Sequence, residues 1–249
     1  MRKADEIQHF LLSFRTDEGS IAMKRYFKCG KGQYSENDQF IGLKTSALRP
    51  MLKSIARDIP LPEIATLLQS PWHEIRFCAL LLLVRAMRDN LPRRRSVGNP
   101  SARDTIARFY LAHAPQVNNW DLVDYSAPDI IGNWLLHGNP ADRATLDTLS
   151  HSDNLWEQRI SVVSTLMLIR AGQFDDTLRI ALTLLPHNHD LIHKAVGWML
   201  REVGKRDTEV LRSFLAAHSA RMSRTTLRYA IERMRGEERS YWLRRDKRH

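Results

Sequence analysis

Apolar residues recur every three to four positions along most of the chain, which is the spacing of amphipathic helices. No segment alternates apolar and polar residues with a period of two for long enough to form a strand. The pattern therefore predicts an all-α protein. Helices are predicted at about 4–14, 18–27, 45–58, 62–69, 72–89, 101–113, 119–137, 141–150, 154–171, 174–185, 189–204, 207–218 and 223–234, with a last helix from 237 that ends in a basic tail, 244–248.

A charged residue recurs at nearly constant spacing in the second helix of successive predicted pairs. Asp124, Arg159, Lys194 and Arg228 are separated by 35, 35 and 34 residues. A fixed period of this size is typical of helical repeat arrays, in which equivalent positions line one face. We therefore predict that residues 1–249 form a single α-solenoid domain of antiparallel helix pairs.

Two segments interrupt the helical pattern. Lys28 to Asp38 contains two glycines, but no strand precedes it and it lacks the Gly-Lys-Ser/Thr of a nucleotide-binding loop. We predict a surface connection that touches the partner. Asn90 to Pro100 is predicted as a second loop. Arg76 is the equivalent charged position before Asp124, and this loop explains why the interval of 48 residues between them exceeds the period. Pro128 is expected to kink the helix predicted at 119–137.

The chain is strongly basic. Lysine and arginine number 38 against 28 aspartate and glutamate, a net charge of +10. This surplus favours nucleic acid or an anionic membrane surface as partner, although a merely solvated basic surface fits the charge equally well. The longest apolar run, Cys78 to Val84, is too short to cross a bilayer, and no signal peptide is visible. We expect a cytoplasmic protein whose cysteines, Cys29 and Cys78, are free thiols.

Neither a metal site nor a covalent nucleophile is indicated. His187, His189 and His193 are close in sequence, but zinc would require a further ligand in a defined place. Helix capping and solvation explain the three histidines at least as well. Neither cysteine has a histidine in a recognisable catalytic arrangement, and no Gly-x-Ser-x-Gly elbow occurs. We predict that the protein needs no cofactor.

Trp120 and Asp124 lie four residues apart and therefore share one helical face. Lys194 and Trp198 repeat this spacing. An aromatic face beside cations suits stacking on a base or a sugar, whereas packing between repeats is the structural alternative. Asp124 is the acidic exception in a cationic row, and a carboxylate that merely faced DNA would repel it. An ion pair between Asp124 and Arg159 is compatible with either interpretation.

Several short motifs, taken in order, resemble one known family. They are Arg25-Tyr26-Phe27-Lys28, Phe40-Ile41-Gly42-Leu43-Lys44-Thr45, Trp120-Asp121-Leu122-Val123-Asp124, Asn154-Leu155-Trp156-Glu157-Gln158-Arg159 and His193-Lys194-Ala195-Val196-Gly197-Trp198-Met199-Leu200-Arg201-Glu202. Together they cover about residues 20 to 235 and resemble the bacterial DNA alkylation repair family of AlkD-type DNA glycosylases. The chain differs from some members in the Gly30–Asp38 insertion and in Lys44.

The resemblance implies a right-handed solenoid of HEAT-like repeats with a concave basic groove. It implies a monofunctional DNA glycosylase that hydrolyses the N-glycosidic bond of purines alkylated at N3 or N7 in duplex DNA, without flipping the base. Asp124 is the implied catalytic carboxylate, Trp120 and Trp198 flank the lesion nucleotide, and Arg159 supports the site. The expected DNA-binding residues are Tyr26, Lys44, Arg76, Arg159, Lys194 and Arg228. A monomer in the bacterial cytoplasm, associated with the nucleoid, is expected.

Two other functions remain open at this point. Some members of the wider family bind branched DNA without excising bases, so a non-catalytic DNA-binding repeat protein is the first alternative. A helical scaffold that binds another protein is the second, and the groove tryptophans would then be hot-spot anchors. Salt-dependent DNA binding separates the scaffold from the other two, and release of a base separates the enzyme from the non-catalytic binder.

Overall fold

The computed structural model describes residues 1–245. Asp246 to Arg248 of the predicted basic tail, and His249 after it, lie outside the described residues. Within the described part, helices alternate with short connections, and only isolated β-bridges occur in place of strands. The prediction of an all-α protein is confirmed. The chain divides into two compact units at Ile130, which we call unit 1 (Met1–Ile130) and unit 2 (from Ile131). The single solenoid with a concave groove stays a prediction.

Unit 1 contains seven α-helices. They are α1 (Ala4–Leu12), α2 (Asp17–Tyr26), α3 (Thr45–Met51), α4 (Leu61–Leu68), α5 (His73–Asp89), α6 (Pro100–Ala112) and α7 (Trp120–Ala127). Side-chain oxygens cap the first turns of several helices. At the start of α6, for example, the Asn99 side chain accepts a hydrogen bond from the Ala102 amide at 3.0 Å. The helix predicted at 45–58 is shorter, because a 3₁₀ turn (Leu52–Ser54) follows Met51.

Helix α5 is the central element of unit 1. It packs against α3, α4, α6 and α7, and every residue from His73 to Val84 is buried. A helix that is buried on all sides needs apolar residues on all sides, which accounts for the run from Cys78 to Val84. Both cysteines are free thiols, as predicted. Among the described residues, no helix is long and apolar enough to cross a membrane.

Glu74 on α5 fixes the extended segment that leads into α3. Its buried carboxylate accepts hydrogen bonds from the amides of Ile41 at 2.9 Å, Gly42 at 2.8 Å and Leu43 at 3.1 Å. Gly42 has a φ of +102°, and a Cβ atom there would lie 2.7 Å from the Cα of Gly19. Only glycine combines this backbone conformation with such a close approach.

The predicted disturbance at Pro128 is confirmed as a change of helix type. The segment predicted as one helix at 119–137 consists of α7, a π-helical turn (Pro128–Gly132) and α8 (Asn133–His137). Proline lacks the amide that an α-helix needs at this position and crowds the preceding turn. A π-turn is a common way to absorb such an interruption.

Unit 2 continues with helices that pack mainly around α13. They are α8 (Asn133–His137), α9 (Ala144–Ser150), α10 (Leu155–Ser164), α11 (Leu166–Arg170), α12 (Asp175–Leu184), α13 (Asp190–Arg206), α14 (Thr208–His218), α15 (Arg224–Ala230) and α16 (Gly236–Arg245). Helix α13 contacts α10, α11, α12, α14 and α15. Trp134 and Trp242 are buried in the core.

The three clustered histidines serve the start of α13. His189 accepts a hydrogen bond from the Leu191 amide, and His187 accepts one from the His189 amide. His193 Nε2 lies 2.5 Å from the His187 carbonyl oxygen. The capping interpretation of the cluster is therefore confirmed. Within residues 1–245, no group of three or more metal-ligating side chains is arranged to hold a metal ion.

Candidate active site

The Trp120–Asp124 face lies on α7, whose start is fixed by Asn119. The Asn119 side chain is fully buried, and its oxygen accepts from the Trp120 amide at 2.8 Å. Trp120 and Asp124 follow on the first and second turns, and both are half-buried. Burial raises the pKa of Tyr110, and the nearby negative charge of Asp124 raises it further. The Tyr110 phenol packs against α7, where its hydroxyl lies 2.9 Å from Ser126 Oγ.

Aromatic rings of the N-terminal segment surround the Trp120 indole. The rings of Tyr26 and Phe27 have centroids 5.9 Å and 5.5 Å from it. Its Nε1 donates a hydrogen bond to the Tyr34 hydroxyl at 3.2 Å. Tyr26 is 63% exposed, so one member of this group is open to a ligand. The indole is thus held in place by packing and by its polar edge.

A buried charge network lies beneath the first turn of α7. His73 Nε2 is 2.9 Å from Asp121 Oδ2, and His73 Nδ1 is 3.4 Å from Asp38 Oδ2. The shorter distance is a hydrogen bond, whereas at 3.4 Å the Nδ1 atom has an ion-pair contact without hydrogen-bond geometry. Arg76 donates to Asp38 Oδ1 at 2.6 Å and to the Ser70 carbonyl. We call Asp38, His73, Arg76 and Asp121 the buried charge network.

The network holds His73 in its protonated form. Burial disfavours the charged imidazole, but the carboxylates of Asp121 and Asp38 outweigh burial and raise the pKa of His73 from 6.5 to about 9. The rings of Phe27 and Phe40 lie 4.7 Å and 4.9 Å from the imidazole, where their faces favour a cation. Burial also opposes ionisation of Asp38, yet the neighbouring His73 and Arg76 lower its pKa. Two cations thus balance two carboxylates.

The irregular segment from Lys28 to Asp38 is part of this network. Ser35 and Asp38 are buried, and Asn119 Nδ2 donates to Ser35 Oγ at 2.6 Å and to Asp38 Oδ2 at 3.2 Å. The prediction of a surface connection is therefore wrong for the second half of the segment. Its side chains are drawn inward because the start of α7 offers a buried amide and α5 offers two buried cations.

The raised pKa of His73 predicts a specific dependence of stability on pH. The unfolded protein releases the His73 proton near pH 6.5, whereas the folded protein keeps it up to about pH 9. The contribution is fully present below pH 6.5 and is lost as pH rises through 9. We expect the unfolding free energy to fall by about 1.4 kcal/mol per pH unit within this window.

Urea unfolding between pH 6.5 and 9 measures this loss. Burial lowers the pKa values of His187 and His189, so both are neutral in the folded protein throughout the window. Their unfolded forms are still partly protonated near pH 6.5, so they oppose the slope at that end only, and the upper part of the window reports His73. An NMR titration that finds the His73 imidazole protonated at pH 8 would give direct support. A flat stability profile together with a neutral His73 at pH 7 would contradict the prediction.

The predicted DNA-binding residues of unit 1 differ in accessibility. Tyr26 and Lys44 are exposed. Arg76, in contrast, is 4% exposed, and its guanidinium is bound to Asp38 and to the Ser70 carbonyl. A phosphate could reach Arg76 only if the buried charge network opened. We therefore assign Arg76 to the support of α7 and omit it from the surface proposed to contact DNA.

The candidate residues of unit 2 lie on α10, α13 and α15. Arg159 is 4% exposed and donates to the Leu191 carbonyl, which links α10 to the start of α13. Lys194 forms an ion pair with Asp190 at 2.7 Å. Trp198 is half-buried one turn later on α13, and Arg228 is exposed on α15. The structure thus brings Arg159 and the α13 residues together within unit 2.

Sequence reasoning missed Asp38, His73 and Asp121 as supports of the site. Asp121 stands inside a motif that was recognised, but nothing local marks it as buried. Asp38 and His73 come from segments 35 residues apart. The one local signal is Asn119, because asparagine is a preferred residue at helix starts and here accepts from the Trp120 amide.

The family model described as DNA alkylation repair enzyme matches residues 7–234. No protein with a curated description matches the sequence significantly. A solved structure described as a predicted DNA alkylation repair enzyme from Enterococcus faecalis is similar with a TM-score of 0.68 and 21% identity, over 88% of this chain and 96% of that one. At this identity the similarity shows a shared fold.

Proposed function

The chain belongs to the DNA alkylation repair enzyme family, and from this premise we propose that it is a monofunctional DNA glycosylase. Its substrates would be purines alkylated at N3 or N7 in duplex DNA, and its reaction the hydrolysis of their N-glycosidic bond. The observation that carries the proposal is the half-buried Asp124 carboxylate, one helical turn from Trp120 in a strongly basic protein.

A single carboxylate suits this chemistry. An N3- or N7-alkylated purine is already positively charged, so it leaves as a neutral base and needs no general acid. The usual second carboxylate of glycoside hydrolysis is therefore unnecessary. Departure of the base leaves cationic character on the deoxyribose, which the fixed charge of Asp124 stabilises. The same carboxylate can orient the water molecule that attacks the anomeric carbon.

Trp120 and Tyr26 supply the aromatic part of the proposed site. An indole face stabilises a developing cation and also packs against a sugar. The rigid placement of Trp120 by Tyr34, Phe27 and the buried charge network supports this role, because transition-state stabilisation requires groups that do not need to reorganise. Tyr26, exposed at the edge of the indole, is proposed to contact DNA.

Further roles are proposed from the family resemblance alone. Trp198 would contact the lesion nucleotide, and Lys194 and Arg228 would bind the DNA backbone. Arg228 is exposed and can do so directly, whereas Lys194 would exchange its Asp190 partner for a phosphate. Arg159, which is 4% exposed and donates to the Leu191 carbonyl, would support the site by fixing the start of α13. Cleavage of the lesion without base flipping, unlike in most glycosylases, is proposed on the same ground.

The test is the release of free bases from duplex DNA methylated at purine nitrogens. We expect 7-methylguanine and 3-methyladenine to appear faster than in the same DNA incubated without protein. Strand cleavage should require subsequent alkali, since the reaction proposed is simple hydrolysis. A matched duplex that carries a neutral lesion, hypoxanthine, should remain intact because its departure needs protonation.

Each outcome of this experiment has a clear meaning. Release of cationic but not neutral bases would support the mechanism. Release of hypoxanthine at a similar rate would show that a general acid acts and would contradict the role given to Asp124. No release by folded protein that binds duplex DNA would overturn the glycosylase assignment and favour a non-catalytic DNA binder.

A further inference from the structure

Unit 1 contains an open cleft beside the Asp124 helix that no part of the proposed reaction uses. It has a volume of about 560 Å³ and is lined by Thr45, Ser46, Arg49, Pro50, Lys53 and Tyr125. We call it the cationic cleft. Tyr125 directly follows Asp124 on α7, so one wall of the cleft belongs to the helix that carries the proposed catalytic carboxylate.

The cations of the cleft are left without acidic partners. Arg49 and Lys53 are both exposed, and neither forms an ion pair within residues 1–245. No aspartate or glutamate occurs between Asp38 and Asp58 in the sequence. Concentrated positive charge of this kind repels itself and therefore favours an anionic ligand.

Three arginines next to the cleft are bound to other protein groups, in contrast to Arg49 and Lys53. Arg57 pairs with Asp89 at 2.6 Å and Arg88 pairs with Asp129 at 2.9 Å. Arg85 is bound to the backbone carbonyls that end the α3 region. These arginines of the adjoining surface already have protein partners, whereas the charges of Arg49 and Lys53 remain available to a ligand.

Tyr125 gives the cleft an ordered aromatic wall. The Arg49 guanidinium carbon lies 5.2 Å from the centre of the Tyr125 ring, and Phe77 supports the ring edge-to-face at 5.2 Å. The tyrosine remains 40% exposed. A guanidinium oriented over an aromatic ring is pre-organised to donate to a phosphate, while the hydroxyls of Thr45 and Ser46 add further donors.

We propose that the cationic cleft binds the phosphodiester backbone of duplex DNA next to the nucleotide at Asp124. This inference rests on the proposed function for the identity of its ligand. It adds Arg49, Lys53 and Tyr125 to the DNA-binding surface, none of which the sequence indicated. Together with the exposed Lys44 and Tyr26, they would form the part of the DNA-contacting surface contributed by unit 1.

The test is the binding of unmodified duplex DNA by the double variant Arg49→Gln, Lys53→Gln, measured at several salt concentrations. Each lost phosphate contact should reduce the slope of log affinity against log salt by about 0.9. We therefore expect the slope to decrease by about 2 and the affinity to fall about tenfold near 0.1 M salt. Both side chains are exposed, so the melting temperature should not change.

The matched control is Arg206→Gln, Arg221→Gln, which removes the same charge from exposed positions of unit 2. It should keep the wild-type affinity within about twofold, because neither residue is proposed to contact a phosphate. Equal losses in the two double variants would overturn the cleft, since general charge would then explain them. Unchanged DNA binding by the cleft variant would also overturn the proposal. So would a variant that loses binding to anionic vesicles but keeps its binding to DNA.

The two proposals fail separately in these experiments. Binding of unmodified duplex requires no bond cleavage, so a protein that releases no base can still show the predicted change in salt slope. Conversely, base release by the wild-type protein combined with an unaltered slope in the cleft variant would support the glycosylase and reject the cleft.

Discussion

Replacing Asp124 with asparagine is expected to lower the rate of 7-methylguanine release by about 10²–10³-fold or more, with no loss of affinity for DNA. The substitution keeps the shape of the side chain and removes its charge. The cationic sugar formed as the base departs then loses its fixed electrostatic partner. Ground-state binding should be equal or tighter, because the variant removes a negative charge from a surface that is proposed to meet phosphates.

Single-turnover base release and duplex binding, measured on the same preparations, separate these two effects. Asp104→Asn is the matched control, because Asp104 is a carboxylate on α6 that pairs with Arg108 at 2.7 Å. The control should retain the wild-type rate. If Asp124→Asn also retained the rate within about threefold, the carboxylate would have no catalytic role. If it lost rate, affinity and stability together, its role would be structural.

The sequence was sufficient to identify the helices and the face that carries Asp124. Periodicity of 3.6 is a local signal, and the four-residue spacing of Trp120 and Asp124 places them on one face in any helix that includes both. The effect of Pro128 was equally local, because it follows from the missing amide of one residue. These features required no knowledge of what packs against α7.

Helix ends were less predictable, because they depend on side-chain bonds to the backbone that the apolar pattern does not show. The predicted helix at 45–58 ends at Met51, and Arg85 on α5 binds the carbonyl groups exposed beyond that end. The predicted helix at 154–171 is divided at Thr165, whose hydroxyl donates to the Val162 carbonyl. Such side-chain bonds to the helix backbone compete with its regular hydrogen bonds.

The buried charge network was the largest feature that the sequence concealed. Charged residues are rarely buried unless they are paired, and the pairs here join residues 38, 73 and 121. Composition placed Asp38 at the end of a glycine-containing connection, which normally lies at the surface. Only the fold shows that this connection closes over α5 and brings Tyr34 to the Trp120 indole. Residues that take no part in the proposed reaction thus determine the position of the Trp120 indole.

The second large effect is expected for Asp38→Ala, which should lower the unfolding free energy by about 3–5 kcal/mol. Asp38 is 7% exposed and contacts both His73 and Arg76. Removal of the Asp38 carboxylate leaves two buried cations with one carboxylate. An uncompensated charge in a dry interior lowers the stability of the folded state. The Asn119 amide also loses one of its two acceptors.

Urea unfolding at pH 6.5 is the measurement, because His73 contributes fully there. Asp58→Ala is the control, since Asp58 pairs with Arg2 at 3.0 Å while both side chains are about two-thirds exposed. An exposed pair contributes about 0–1 kcal/mol, so the control should unfold almost as the wild type does. A similar small effect at Asp38 would mean that water reaches the network. In that case the segment from Lys28 to Asp38 would not hold Trp120, and its support of the proposed site would have to be abandoned.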